Sequence, residues 1–133
     1  MNTDTPTKVF VIDDNPLDNS ISKLLLRRFD HQMIVEMIDC GAKAIDRLTG
    51  LTSGSPEELP DYIFVDLNMP EMDGWQFIKA FLRSGLNKYK KTKIYILSSS
   101  VNQEDLSASY QHELVQDFIN KPLSLQTINR VFS

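Results

Sequence analysis

Cysteine is almost absent from this chain of 133 residues, and Cys40 stands alone. With no second cysteine there is no internal disulfide framework, which fits a reducing cytoplasm. Long apolar runs are missing too. The longest, Val9–Ile12, Tyr62–Val65 and Ile94–Leu97, fall far short of the roughly 20 residues a membrane helix needs. Met1-Asn2-Thr3-Asp4-Thr5-Pro6 has neither the basic flank nor the apolar centre of a signal peptide. The 5 glycines form no Gly-rich turn after the first apolar block, which argues against a dinucleotide-binding enzyme. Positive charge is scarce as well: 14 basic against 18 acidic side chains leave −4, which argues against direct nucleic-acid binding. The 2 histidines, His31 and His112, are isolated from any acidic cluster and read as surface residues. What remains is an ordinary composition, 41% hydrophobic and 24% charged, in one domain of globular size. Such a chain buries about two-thirds of its unfolded surface and needs no metal or disulfide staple.

The apolar residues that are there come in two alternating patterns. Lys8 to Asp13, Tyr62 to Asp66 and Lys93 to Ser98 are continuous and rich in β-branched and aromatic residues. Continuous hydrophobicity suits strands covered on both faces, as in a parallel sheet. Met33 to Ile38, interrupted by Glu36, reads as another strand, and Asp117-Phe118-Ile119-Asn120 as a fifth. Helical spacing fills the intervals. Asn15-Pro16 starts one helix with Asp18 in its first turn, and its expected core stripe is Leu17, Ile21, Leu24, Leu25 and Phe29. Ala44, Ile45 and Leu48 make a second stripe, and Trp75, Ile78, Phe81 and Leu82 a third. Asn102 caps a helix carrying Leu106 and Tyr110, and Ser124 one carrying Leu125, Ile128, Val131 and Phe132. Thr49 to Pro60, rich in Gly, Ser and Pro, reads as a long loop, and the lysines of Asn87 to Lys93 as a solvated face. Met69, Met72 and Trp75 read as packing at a helix start. Five βα units of this kind predict an open parallel α/β sheet, doubly wound, with five helices on its two faces.

Ligands of a doubly wound sheet bind beyond the carboxyl ends of its strands. Those ends carry Asp13-Asp14, Asp66, Ser98 and, after the fifth strand, Lys121-Pro122. Each is weak evidence alone, because aspartates cap helices and serines serve turns. Together they bring three carboxylates, a hydroxyl and an ammonium to one edge. Three packed carboxylates raise one another's proton affinity, a conflict that a hard divalent cation such as Mg²⁺ removes. With Lys121 added, the site is neutral, and Asp66 keeps an oxygen able to attack phosphorus. The cation, Lys121 and Ser98 then face the charge of the transferring phosphoryl oxygens.

Val65-Asp66-Leu67-Asn68-Met69-Pro70-Glu71-Met72-Asp73-Gly74 closely resembles the phosphoacceptor segment of bacterial response regulator receiver domains. Asp13-Asp14, Ser98-Ser99 and Lys121-Pro122 follow the family's order, and the resemblance runs from about Lys8 to Phe132. It implies a single, stand-alone, chemotaxis-regulator-like receiver over 1–133, with no output domain and a flavodoxin-like strand order 2-1-3-4-5. Asp66 would be the phosphoacceptor, fed by a histidine kinase or histidine phosphotransfer protein. Asp14, Asp66 and the backbone carbonyl of Asn68 would hold Mg²⁺ directly, and Asp13 through water. Lys121 and Ser98 would contact the phosphoryl group. Phe118 stands at the family's aromatic switch position, where lack of a hydroxyl leaves it to act by packing and reach a downstream protein partner. Departures are small: Ser98 where Thr is commoner, and the long Thr49 to Pro60 loop.

Two rivals fit less well. A haloacid-dehalogenase-type phosphatase needs an acid/base Asp two residues after the nucleophile, where this chain has Asn68. A receiver-like module that works without phosphorylation would have lost part of the acidic pair, Asp66 or Lys121, and none is lost. The chain is therefore expected to be a switch that catalyses only its own phosphorylation and dephosphorylation.

Overall fold

The computed structural model describes residues 5–99 and 114–132. Five strands, β1 (Lys8–Ile12), β2 (Ile34–Ile38), β3 (Tyr62–Asp66), β4 (Lys93–Ser98) and β5 (Val115–Asn120), form one sheet. Their order is β2-β1-β3-β4-β5, and every pairing is parallel. Four described helices accompany them: α1 (Pro16–Phe29), α2 (Gly41–Gly54), α3 (Gly74–Arg83) and α4 (Leu125–Phe132). The helix expected after Asn102, with Leu106 and Tyr110, lies outside the described residues, as does His112.

The sheet separates two cores. Phe10, Ile12, Ile63, Val65, Ile94 and Ile96 point to the side where Leu48 and Leu51 of α2 and Phe77, Ile78 and Phe81 of α3 pack. Val9, Val11, Phe64, Tyr95 and Leu97 point to the other, against Leu26 of α1 and Ile128 of α4. Residues alternate between faces yet are apolar on both, which is why these strands read as unbroken runs. On the second face the Phe132 ring meets Tyr62 at 4.6 Å and Phe29 at 5.6 Å, fastening α4 beside α1.

Three expectations change. Thr49 to Pro60 is not one long loop, because α2 runs on to Gly54 and a 3₁₀ turn follows at Pro56–Glu58. Buried Leu51 anchors the extra turn, while the Thr49 and Thr52 hydroxyls donate back to the Ile45 and Thr49 carbonyls. On α1, Leu17 and Leu24 are 68% and 63% exposed, and the buried residues are Asn19, Ser22 and Leu26. The stripe is therefore rotated, since two of its inward positions are polar. Lys90 does not lie on a free solvated face: it pairs with Asp61 at 2.9 Å and donates to the Leu59 carbonyl. Glu36, which interrupts β2, is accounted for by its fork to Arg47 at 2.8 and 3.1 Å. His31 is exposed. Among the described residues no helix is long and apolar enough to cross a membrane.

Candidate functional site

Register carries the predicted residues to one edge. Ile12 pairs with Val65, which puts Asp13 and Asp66 next to each other beyond the pair. Asp66 pairs with Leu97, Ser98 pairs with Asn120, and the Lys121 N–H donates to the Ser98 carbonyl at 2.8 Å. The peptide between Lys121 and Pro122 is cis. Carboxylate oxygens of Asp13, Asp14 and Asp66 all lie within 4.8 Å of one another. Asp13 and Asp66 are buried, and Asp14 is exposed. An open cleft of about 570 Å³, lined by Asp14, Asp18, Asp66, Asn68, Ser99 and Lys121 among others, leads to them.

Lys121 ties the cluster together. Its Nζ lies 2.8 Å from Asp13 Oδ2, 2.9 Å from Asp18 Oδ2 and 3.4 Å from Asp66 Oδ2. Burial by itself would lower the basicity of this ammonium, but hydrogen bonds to Asp13 and Asp18 outweigh it and the pKa is raised. Asp66 moves the opposite way from a paired carboxylate. Burial first, then the charge of Asp13, push its pKa up to about 6, although Lys121 and the Asn68 N–H pull downward. A group that resists ionisation beside two more carboxylates suits an oxygen-only cation site. The donors present therefore fit Mg²⁺.

Local structure explains the positions. Asn15 caps α1, accepting from the Leu17 and Asp18 N–H groups, while its own N–H donates to Asp13 Oδ1 at 3.0 Å. The Asn19 side-chain amide donates to the Asp13 carbonyl at 2.6 Å. Asp13 is thus fixed from both ends of the β1–α1 turn. The Asn68 N–H donates to Asp66 Oδ1 at 3.2 Å. Asp73 and Gln76 cap α3 reciprocally, which sets the end of the segment that follows Asp66. Met69 is buried, Met72 and Trp75 pack partly buried on the α2/α3 core, and Phe118 lies half-buried on the same core. Ser98 is fully buried beneath the edge.

Two residues around Lys121 and Asp13 are not evident from the sequence alone. From sequence, Asp18 reads only as a favourable charge in the first turn of a helix, and nothing singles out Asn19. The available signal was the Asn15-Pro16 start, which fixes the helix phase and turns that first turn toward Lys121.

A 2-1-3-4-5 parallel sheet with an acidic cluster and a lysine at its carboxyl edge has the flavodoxin-like build, whose ligand site lies beyond the strand ends. Residues 9–132 match the Response regulator receiver domain family, and the chain belongs to it. It is 30% identical over 127 residues to the Two-component response regulator ORR1 of Oryza sativa subsp. japonica. That match covers 94% of this chain and 53% of the relative, so the chain spans about half the relative's length. The Probable methanogenesis regulatory protein FilR2 of Methanothrix harundinacea is 26% identical, with 98% and 81% covered. Among solved structures, a two-component response regulator from Cytophaga hutchinsonii superposes with TM-score 0.86 at 26% identity, covering 96% and 95% of the two chains. The receiver domain of the histidine kinase CKI1 from Arabidopsis thaliana gives 0.78 at 28% identity, covering 94% and 89%. This spread of sources shows the receiver family at large. The chain is accordingly a receiver domain of the kind found in two-component response regulators and histidine kinases, and neither rival reading is favoured.

Proposed function

We propose that Asp66 accepts a phosphoryl group from the phosphohistidine of a histidine kinase or histidine phosphotransfer protein. The observation that carries this reading is the meeting of Asp13, Asp14 and Asp66 within 4.8 Å, with Lys121 reaching both Asp13 and Asp66. An Asp66 oxygen attacks phosphorus, the phosphorus–nitrogen bond breaks, and the imidazole nitrogen leaves with the electron pair. Asp13, Asp14, Asp66 and the Asn68 carbonyl are the proposed holders of Mg²⁺. When bound, the cation offsets the charge of the carboxylates and of the phosphoryl oxygens. Lys121 turns toward the phosphoryl group, and Ser98 donates a hydrogen bond to it.

The output is binding. A phosphoryl group adds negative charge that Lys121 and Ser98 absorb, and an inward shift of Ser98 gives Phe118 room to repack. Phe118 then couples the site to a surface that meets a downstream protein. Autophosphorylation and slow hydrolysis are the only reactions the chain catalyses. A single receiver over 1–133 with its core at about 8–132, a cytoplasmic location and kinship with bacterial chemotaxis-type regulators belong to the same proposal. So does the lack of nucleic-acid and membrane partners.

Intact-mass measurement after incubation with acetyl phosphate and Mg²⁺ tests it. The wild-type chain should gain one phosphate, and Asp66→Asn, or wild type in EDTA, should gain none. Equal labelling of Asp66→Asn would sink the assignment.

A further inference from the structure

Lys121 is shared unequally. An ammonium has three N–H donors, and here three carboxylates surround it. The two short contacts, 2.8 and 2.9 Å, go to Asp13 and Asp18, and the longest, 3.4 Å, goes to Asp66. Asp13 is otherwise committed, since its Oδ1 accepts the Asn15 N–H and its carbonyl accepts the Asn19 amide. Asp18 stands outside the three-carboxylate cluster and reaches Lys121 from the first turn of α1. Its side chain is 30% exposed, so this contact is easier to surrender than the one to Asp13, whose side chain is 2% exposed.

We infer that Asp18 is a positioning residue that competes with Asp66 for Lys121. Its carboxylate holds the ammonium on the α1 side of the cleft. A phosphoryl group on Asp66 must draw Lys121 away from that contact before it gains the full benefit of the charge. Asp18 therefore weakens the grip of the site on a phosphoryl group and returns Lys121 to the resting arrangement when the group leaves. The bland reading is that Asp18 only favours the N-terminus of α1 through the helix dipole, which predicts a stability effect and nothing more.

The inference rests on Asp66 being the phosphoacceptor, and one experiment separates the two. Beryllofluoride with Mg²⁺ is the probe; beryllium exchanges a water or fluoride for an Asp66 carboxylate oxygen, and no bond of the protein breaks. Its affinity is measured for wild type, Asp18→Asn, Asp18→Glu and Asp66→Asn, with a melting curve for each. Asp18→Asn should bind the probe roughly two- to ten-fold more tightly, the scale of one lost partly exposed ion pair. Asp18→Glu, which restores the charge, should return toward wild type. Unchanged or weaker binding in Asp18→Asn, or the same tightening in Asp18→Glu, overturns the competition. A lower melting temperature in Asp18→Asn without tighter binding leaves only the dipole role and also overturns it. Binding by Asp66→Asn equal to that of wild type would instead overturn the phosphoacceptor reading itself.

Discussion

Gly74 stands so close to Leu67 that a Cβ on it would lie 3.0 Å from the Leu67 Cα and 3.1 Å from the Asp66 carbonyl oxygen. The same contact carries a hydrogen bond from the Gly74 N–H to the Leu67 carbonyl at 2.9 Å. The start of α3 therefore rests directly on the backbone of the proposed phosphoacceptor. Both opposing atoms belong to the main chain, so neither can swing aside. Gly74→Ala should cost about 1–3 kcal/mol of stability in urea unfolding and slow phosphate uptake. A variant as stable and as quickly phosphorylated as wild type would show that the approach has slack.

Glu71 occupies the left-handed region with φ 68° and is exposed. A residue with a Cβ is strained there, and a β-branched one more so. Glu71→Gly should stabilise the protein by about 0.5–1 kcal/mol, because the relief exceeds the added chain entropy of glycine. Glu71→Val should destabilise it by about 1 kcal/mol or more. Paired urea midpoints at an unchanged m-value check both signs.

Without metal, Asp66 makes stability depend on pH in a direction unusual for an aspartate. Its pKa rises from 3.8 to about 6 on folding, because of burial and then the Asp13 charge. The folded state thus binds the proton more tightly than the unfolded state. Stability should fall as pH climbs from about 4 through about 6 and level off above. Asp66→Asn removes that fall and should exceed wild type by about 1–2 kcal/mol at pH 7 in EDTA. This figure is reduced from the bare linkage value because the carboxyl group opens on a solvent-filled cleft. Parallel melting curves across that range would contradict the buried, crowded carboxylate.

Most of the sheet was legible because it is covered on both sides. Tyr62–Asp66 and Lys93–Ser98 coincide with the observed β3 and β4, since unbroken apolar runs ending in a polar residue have few other uses. β5 is longer than its legible stretch: it begins at Val115, where Gln116 and Asp117 face solvent and hide the pattern. Composition misled at Thr49 to Gly54, where Gly, Ser and Thr disguise the last turns of α2 held by Leu51. Periodicity misled on α1, because Asn19 and Ser22 take inward positions and leave Leu17 and Leu24 outside. The side chains that meet at the cleft, Asp13, Asp14, Asp66 and Lys121, stand at strand ends and in the motif, where the sequence makes them readable. Asp18 is not, because a first-turn acid is common on any helix and only the distance to Lys121 distinguishes it.

Chemical trapping identifies the phosphorylated side chain directly. The purified chain is phosphorylated with acetyl phosphate and Mg²⁺, then treated with borohydride, which reduces an acyl phosphate to a primary alcohol and spares free carboxylates. Peptide mapping should find the alcohol at position 66 alone, in the peptide containing Leu67 and Asn68. An alcohol at Asp13, Asp14 or Asp18, or none in a chain whose mass shows bound phosphate, would contradict the account.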